Sequence, residues 1–205
     1  MPEKEKQNKK LRILAAGDIH GDSKLAENLA KKAEKAQVDL VILTGDIVGL
    51  VETKNLIKPF TDRGEKVLFV PGNWDAPGTA EVLSKLYGIK NIDNYYIKHN
   101  NVGIFGLGNP GTLALDEEET FHKLEKNFEK IKNLEKKILV THMHAAGTKS
   151  ELSGFPGSSG IRKAIDKFQP NLFISGHIHE LEGIEDKIGK TRILNVGRKG
   201  KIIEI

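Results

Sequence analysis

Short apolar segments alternate with amphipathic segments along this chain. Five apolar segments, each followed by a turn residue or a polar residue, have the length and composition of buried β-strands: Leu11–Ala16, Val38–Thr44, Lys66–Val70, Lys137–Thr141 and Asn171–Ser175. Between them, apolar residues recur at helical spacing. This spacing predicts helices over about 24–37, 52–63, Thr79–Tyr87 and Asp116–Lys136, and a further helix to Phe168. The first of these is expected to be capped by Asp22 or Ser23, and the last by Ser158 or Ser159.

Two other segments have the pattern of antiparallel strands. Tyr95–His99 and Val102–Leu107 flank Asn100-Asn101, which predicts a hairpin. Residues 181–205 are expected to form antiparallel strands that turn at Gly189-Lys190 and near Gly200. Together with the βαβαβ order of the first half, this predicts an α/β sandwich of two sheets with helices outside. We expect a disordered basic tail over residues 1–10 and a single domain over 11–205.

Composition narrows the class of protein. The 205 residues carry a formal net charge of +4, and 38% of them are hydrophobic, which is typical of a globular protein. No apolar segment approaches the roughly 20 residues needed to span a bilayer, and no secretory signal is recognisable. We therefore expect a cytoplasmic protein that does not enter membranes, and the mixed surface charge makes nucleic acid an improbable partner. The chain lacks cysteine, so any metal ligands are His, Asp, Glu or Asn; a homo-oligomer is left open.

Polar side chains with metal-binding chemistry follow the five apolar strands directly. Because ligands bind outside the carboxyl ends of strands in open α/β sheets, these side chains are expected to converge on one edge if the strands are parallel. Of the seven histidines, only His99 and His122 lie outside these strand-end motifs. The candidate ligands are Asp18, His20, Asp46, Asn73, His142, His177 and His179.

The mixture of imidazole, carboxylate and amide groups suits Mn²⁺, Fe or Zn²⁺ better than Ca²⁺. Seven ligands are more than one ion of four to six coordination uses, so two divalent ions are expected, with one carboxylate shared between them. Mn²⁺ is our first expectation, and Fe, Zn²⁺ or Ni²⁺ are alternatives.

The ordered motifs GDIH, GD, GNWD, TH and GHIH resemble those of the calcineurin-like metallophosphoesterase superfamily. The likeness spans residues 12–197, and the segment from Gly157 to Gly183 is similar to small prokaryotic Icc-related predicted phosphoesterases. The resemblance implies a four-layer α/β/β/α sandwich with a binuclear metal site. It implies one metal held by Asp18, His20, Asp46 and His179, and a second held by Asp46, Asn73, His142 and His177, with Asp46 bridging.

The chain departs from the family pattern at three positions. Trp74 replaces the histidine of the usual Gly-Asn-His-Asp motif, which is the family's proton donor to the leaving group. Gly49 replaces the second Asp of Gly-Asp-x-x-Asp, and Arg198 stands where a serine is usual. These changes leave the metal ligands intact and put the catalytic power and the substrate in question.

The resemblance implies hydrolysis of a small phosphate ester, for which a nucleotide is one candidate, by a hydroxide that two metal ions activate. We expect phosphodiesters to be the substrates; alternatives are a phosphomonoesterase or nucleotidase with the same site, or a metal-binding scaffold without activity. Asp75 is a candidate for orienting the site, with a simple turn residue as the alternative. His144 is a candidate proton donor, with a solvated loop histidine as the alternative. Trp74, Arg162 and Arg198 are candidates for binding substrate, with surface or core-edge roles as the alternative.

Overall fold

The computed structural model describes residues 10–49 and 54–205. The expected tail, apart from Lys10, and the start of the helix expected over 52–63 lie outside the described residues. Within the described part of the chain, no helix is both long enough and apolar enough to cross a membrane.

The first sheet has five strands in the order β11-β1-β2-β3-β4. Its strands are β1 (Arg12–Ala16), β2 (Leu40–Leu43), β3 (Val67–Phe69), β4 (Lys90–Asn91) and β11 (Lys201–Glu204). β1 to β4 are parallel and β11 pairs antiparallel with β1. Three helices connect these strands: α1 (Ser23–Ala36), α2 (Lys58–Thr61) and α3 (Thr79–Tyr87). The first three strands therefore end at the same edge of the sheet.

The second sheet has six strands in the order β5-β6-β7-β8-β10-β9. They are β5 (Tyr95–His99), β6 (Val102–Leu107), β7 (Lys136–Thr141), β8 (Leu172–Ser175), β9 (Glu185–Ile188) and β10 (Thr191–Asn195). β6, β7, β8 and β10 are parallel, and the two outer strands are antiparallel to their neighbours. The remaining helices are α4 (Glu117–Glu129) and α5 (Ser159–Phe168), with two short 3-10 helices, Lys149–Ser153 and His179–Leu181.

Alternate residues of each strand supply different cores, because successive side chains point to opposite faces of a sheet. Ile13 and Ala15 of β1 join Ile138 and Val140 of β7 in a core between the sheets. Leu14 instead packs with residues of α1, α2 and α3 on the outer face of the first sheet. A third core joins the outer face of the second sheet to α4 and α5. The layers are thus α/β/β/α, which confirms the expected fold class.

Several expected elements are confirmed almost to the residue. α3, β5 and β6 have the expected bounds. The caps are also resolved: Asp22 accepts from the Leu25 N–H, and Ser158 accepts from the Ile161 N–H. Local capping and periodicity were sufficient for these elements.

Three expectations about elements were wrong. α4 ends at Glu129 rather than Lys136, because Lys136 already belongs to β7. Ile131 is nevertheless buried from the turn that follows, so the apolar stripe continues beyond the helix. In the described part of the segment expected as helix 52–63, only Lys58–Thr61 is α-helical. The end of the chain is not one antiparallel unit either, because β10 pairs parallel with β8 while β11 crosses to the first sheet.

Candidate metal centre

The candidate ligands lie in loops that follow strands of both sheets. β1, β2 and β3 of the first sheet lead into the loops of Asp18, Asp46 and Asn73, and β7 leads to His142. Contacts between the sheets join these loops: His142 Nδ1 lies 2.7 Å from the Thr44 carbonyl oxygen. The His177 N–H donates to Asp18 Oδ1 at 3.2 Å. The stacking of the two sheets therefore gathers the strand ends into one site.

Asp18, His20 and His179 form the first group of ligand atoms, all within 4.8 Å of one another. His20 Nε2 and His179 Nε2 are 3.2 Å apart, and His179 Nε2 is 3.3 Å from Asp18 Oδ1. Asp18 is fully buried, whereas the side chain of His179 is 45% exposed. The group therefore combines a buried carboxylate with a partly exposed histidine.

Asp18, Asp46 and His142 form a second group within the same distance limit, and all three residues are buried. Asn73 joins this group, because its Oδ1 lies 2.9 Å from His142 Nε2. Asp46 Oδ2 is 3.4 Å from His142 Nε2 and 3.6 Å from His20 Nε2. Asp18 belongs to both groups, and Asp46 contacts a histidine of each; the bridging role of Asp46 stays a prediction.

His177 lies at the edge of the second group. Its ring centroid is 5.1 Å from that of His142, and the two planes are inclined at 69°. All seven candidate ligands are therefore in or beside one cluster, and their role in binding metal stays a prediction.

The donor set fits divalent cations. Two imidazole nitrogens that face each other at 3.2 Å can share only one proton, whereas a cation would satisfy both lone pairs. Buried Asp18 Oδ2 has no hydrogen-bond partner within the described part of the chain. The Nδ1 of His142 faces the Thr44 carbonyl, and a proton on Nδ1 would leave the Nε2 lone pair for a cation, as in metal-binding histidines.

Backbone strain is concentrated in these loops. Asp18, His20, Asp46 and His177 have φ of 57°, 48°, 51° and 72°, in the left-handed region that non-glycine residues seldom occupy. Such strain persists where surrounding contacts enforce it, and it clusters at functional sites. Close packing adds a further constraint, since a Cβ at Gly72 would overlap the Asp46 carboxylate.

Burial controls the protonation of the metal-free site. It lowers the pKa of His177 to about 4, helped by repulsion from His142. Burial also lowers the pKa of His20, against the attraction of Asp46, and it raises the pKa of Asp46. Hydrogen bonding to Asp18 raises the pKa of His179. His177 and His20 are therefore biased towards the neutral form that binds a cation.

Asp75 holds two of the ligand loops together. Its Oδ1 accepts from the N–H groups of Ile47 and Val48, both at 3.0 Å, and its Oδ2 accepts from the Gly72 N–H at 2.8 Å. The residue is buried. The contacts are with the main chain that follows Asp46 and precedes Asn73, so Asp75 is more than an isolated turn residue.

Trp74 and Arg198 lie beside the first ligand group. The main-chain N–H of Trp74 donates to Asp46 Oδ1 at 2.8 Å. The centroid of its indole ring lies 5.6 Å from that of the His20 ring. The Arg198 guanidinium donates to the Asp18 carbonyl at 3.0 Å and to Asp22 Oδ2 at 2.7 Å. Arg198 therefore braces the loop of Asp18, and substrate binding by either side chain stays a prediction.

His144 and Arg162 lie in or against the loops behind the second group. His144 is buried, so the alternative of a solvated loop histidine was wrong. Its Nε2 lies 3.2 Å from the Phe155 carbonyl oxygen and its Nδ1 has no partner among the described residues. Burial lowers the pKa of His144. The Arg162 guanidinium bonds to Asp166 and to the Ala146 carbonyl, and its role as a phosphate clamp stays a prediction.

Sequence reasoning missed two residues that organise the site. Glu151 accepts from the N–H groups of Gly147 and Gly157 and so closes the loop after His144. Asn195 is buried and donates to the Ile178 and Leu181 carbonyls, which fixes the segment of His177 and His179. An asparagine at the end of an apolar strand was the available signal for Asn195, but nothing local marked Glu151.

The fold and the site together define a class, an α/β sandwich whose histidine and carboxylate ligands meet at the carboxyl ends of strands in two sheets. A family model described as the calcineurin-like phosphoesterase superfamily domain matches residues 11–202. The chain belongs to this superfamily, and the family description supports a hydrolase that acts on phosphate esters. Comparison with curated proteins gave no match.

Solved structures support the same fold. TT1561 of Thermus thermophilus is 17% identical, with a TM-score of 0.73 and coverage of 95% of this chain and 99% of that one. A protein described as a novel archaeal phosphodiesterase is 16% identical, with a TM-score of 0.56 and coverage of 95% and 99%. A dimetal phosphatase from Danio rerio is 11% identical, with a TM-score of 0.59 and coverage of 93% and 88%. At these identities, the likeness establishes the fold alone.

Proposed function

We propose that this chain is a phosphodiesterase that uses two divalent metal ions, with Mn²⁺ as the preferred ion. The observation that carries the proposal is the facing pair of His20 and His179 nitrogens beside the unpaired oxygen of Asp18. This arrangement continues through Asp46 into a second group around His142. Asp18, His20, Asp46 and His179 would hold one ion, and Asp46, Asn73, His142 and His177 the other.

Two divalent ions at such a site neutralise the charge of a phosphate ester and lower the pKa of a coordinated water. The chain's residues prepare the site for this. The Asp46 carboxylate is oriented because its Oδ1 accepts a hydrogen bond from the main-chain N–H of Trp74. Its Oδ2 therefore faces the histidines. Asn73 offers a neutral oxygen beside His142, so it adds a ligand without adding negative charge. Asp75 fixes the loops that carry both Asp46 and Asn73.

The preference for diesters rests on charge and on proton supply. A diester carries one negative charge where a monoester carries up to two, so it approaches a carboxylate-rich centre more easily. Trp74 occupies the position where relatives have a histidine donor, and an indole does not donate a proton to a leaving group. His144 is the remaining candidate donor, but its Nε2 faces the Phe155 carbonyl. A neighbour of the same fold is described as a novel archaeal phosphodiesterase, and we extend that substrate class to this chain as part of the proposal.

The test is hydrolysis of bis-p-nitrophenyl phosphate and p-nitrophenyl phosphate by metal-stripped protein with Mn²⁺ restored. We expect turnover that requires Mn²⁺, favours the diester, and is lost in Asp46→Asn. Asp116→Asn is the matched control, because the Asp116 side chain caps α4 by accepting from the Glu119 N–H, and it should retain full activity. A preference for the monoester would support the phosphatase alternative. Binding of two Mn²⁺ without hydrolysis of either compound would contradict the enzymatic proposal and favour a scaffold.

A further inference from the structure

Two of the chain's exposed large apolar side chains stand beside the candidate metal ligands. Trp74 is 53% exposed and Phe155 is 56% exposed. Trp74 contacts His20 of the first ligand group, with ring centroids 5.6 Å apart and planes at 88°. Phe155 contacts His177 of the second group, with centroids 6.3 Å apart and planes at 73°. Each ligand group therefore has an exposed aromatic ring at its edge.

The main chain holds Trp74 in place. Its N–H donates to Asp46 Oδ1 at 2.8 Å, and the next residue, Asp75, is buried with three hydrogen bonds to the main chain. The indole is nevertheless half exposed rather than packed into a core. An exposed tryptophan on a fixed backbone loses little conformational freedom when a ring stacks on it.

Phe155 is held by a separate set of contacts. Glu151 accepts from the N–H groups of Gly147 and Gly157, at 2.9 Å and 2.8 Å, and so closes the loop around it. The Phe155 carbonyl faces His144 Nε2, and its N–H donates to Ser153 Oγ at 3.3 Å. These contacts fix the backbone, while more than half of the Phe155 surface stays exposed. The loop thus presents an aromatic side chain to the space beside His177.

We propose that Trp74 and Phe155 form an aromatic clamp that binds a nucleobase of the substrate, so that the enzyme prefers phosphodiesters with a nucleoside substituent. The proposal rests on the proposed function, because the phosphate must sit at the metal ligands for its substituents to reach the rings. Stacking of a base on an aromatic side chain strengthens binding, and we expect a change in affinity of about tenfold for each ring, or about 1.4 kcal/mol. Neutral rings also suit a base, which carries no charge to be paired.

Trp74 is the only tryptophan in the chain, so its fluorescence reports on the clamp directly. The first experiment titrates Mn²⁺-loaded protein with adenosine 5′-phosphate and, in parallel, with ribose 5-phosphate. We expect saturable quenching by the nucleotide and little change with the sugar phosphate. Phe155→Ala should raise the Kd for the nucleotide about tenfold, and Phe155→Tyr should restore it. Tyr95→Ala is the matched control, because Tyr95 is 51% exposed on β5, and it should leave the Kd unchanged.

The second experiment compares thymidine 5′-(p-nitrophenyl phosphate) with methyl p-nitrophenyl phosphate, which release the same leaving group. In wild type we expect a higher kcat/KM for the nucleoside diester, and Trp74→Ala should lower the ratio of the two kcat/KM values about tenfold. Metal-dependent turnover with an unchanged ratio and no selective quenching would overturn the clamp while leaving the proposed function standing. Selective quenching without turnover of either diester would support the clamp and contradict the proposed function. Equal quenching by both titrants would overturn the preference for a base.

Discussion

Asp75 is the acceptor that joins two ligand loops, and its replacement by Asn tests how the site is held. The substitution keeps the size of the side chain and replaces one carboxylate oxygen by an NH2 group. In one orientation the new NH2 faces the Gly72 N–H; in the other it faces the N–H groups of Ile47 and Val48. Either orientation places donors against donors in a buried position.

The expected cost follows from the number of hydrogen bonds. A bond to a charged acceptor contributes about 1.5–3 kcal/mol, and a neutral acceptor contributes about half as much. Loss of the bond from Gly72 and weakening of the two bonds from Ile47 and Val48 together give a free energy of unfolding lower by about 4 kcal/mol. For a chain of this size, that change lowers Tm by about 10 °C. Because the loops of Asp46 and Asn73 would loosen, metal affinity should fall about 10- to 100-fold.

The assay is thermal unfolding of the metal-free protein, followed by calorimetric titration with Mn²⁺. Asp116→Asn is the matched control, because Asn caps a helix about as well as Asp, and it should change neither Tm nor affinity. A Tm for Asp75→Asn within about 1 °C of wild type would refute the hydrogen-bond reasoning. A lower Tm with unchanged Mn²⁺ affinity would instead refute the link between Asp75 and the ligands.

Three further predictions concern the loops and the ligands. Gly72→Ala should weaken Mn²⁺ binding strongly, because its Cβ would overlap the Asp46 carboxylate. Gly64→Ala is strained by the φ of 74° at that position, but its Cβ would meet no described residue within 4 Å, so it should lower stability and leave the Mn²⁺ affinity unchanged. Arg198→Met should weaken Mn²⁺ binding several-fold, because the loop of the first ligand group loses its guanidinium brace; an affinity equal to wild type would contradict this. His177 has a folded pKa of about 4 against a usual value of 6.5, so the metal-free protein should lose stability as the pH falls from 6.5 towards 4. The stability of His177→Asn, measured by denaturation, should depend less steeply on pH, and Asn is chosen because it tolerates the positive φ at this position.

The sequence determined the parts of the molecule that depend on neighbouring residues. The apolar run of Leu11–Ala16 predicted a buried strand, and the structure places Ile13 and Leu14 of β1 in different cores. The glycine and polar residues after each apolar strand marked Asp18, Asp46 and His142 as candidate ligands. Caps such as Ser158 could be predicted because they satisfy N–H groups within one helical turn. The family motifs added the expected division of ligands between two ions.

Tertiary structure decided the features that depend on contacts between residues far apart in the chain. Periodicity predicted α4 as far as Lys136, but the helix ends at Glu129 and Lys136 pairs with β6 as the first residue of β7. Residues around Gly200 predicted a simple turn, yet β11 completes the first sheet beside β1.

The same limit applies to the site. Arg198 was a candidate for binding substrate, with a surface role as the alternative, and its hydrogen bond to the Asp18 carbonyl, 180 positions away, could not be predicted from the sequence. Glu151 carried no local signal because its partners are two loop N–H groups that only folding brings to it. Hydrophobic periodicity and capping depend on residues a few positions apart. A buried carbonyl or carboxylate instead needs a hydrogen-bond donor, and the packing of the two sheets decides which residue supplies it. For this reason the sequence named the candidate ligands, and the packing of the two sheets decided how they are positioned.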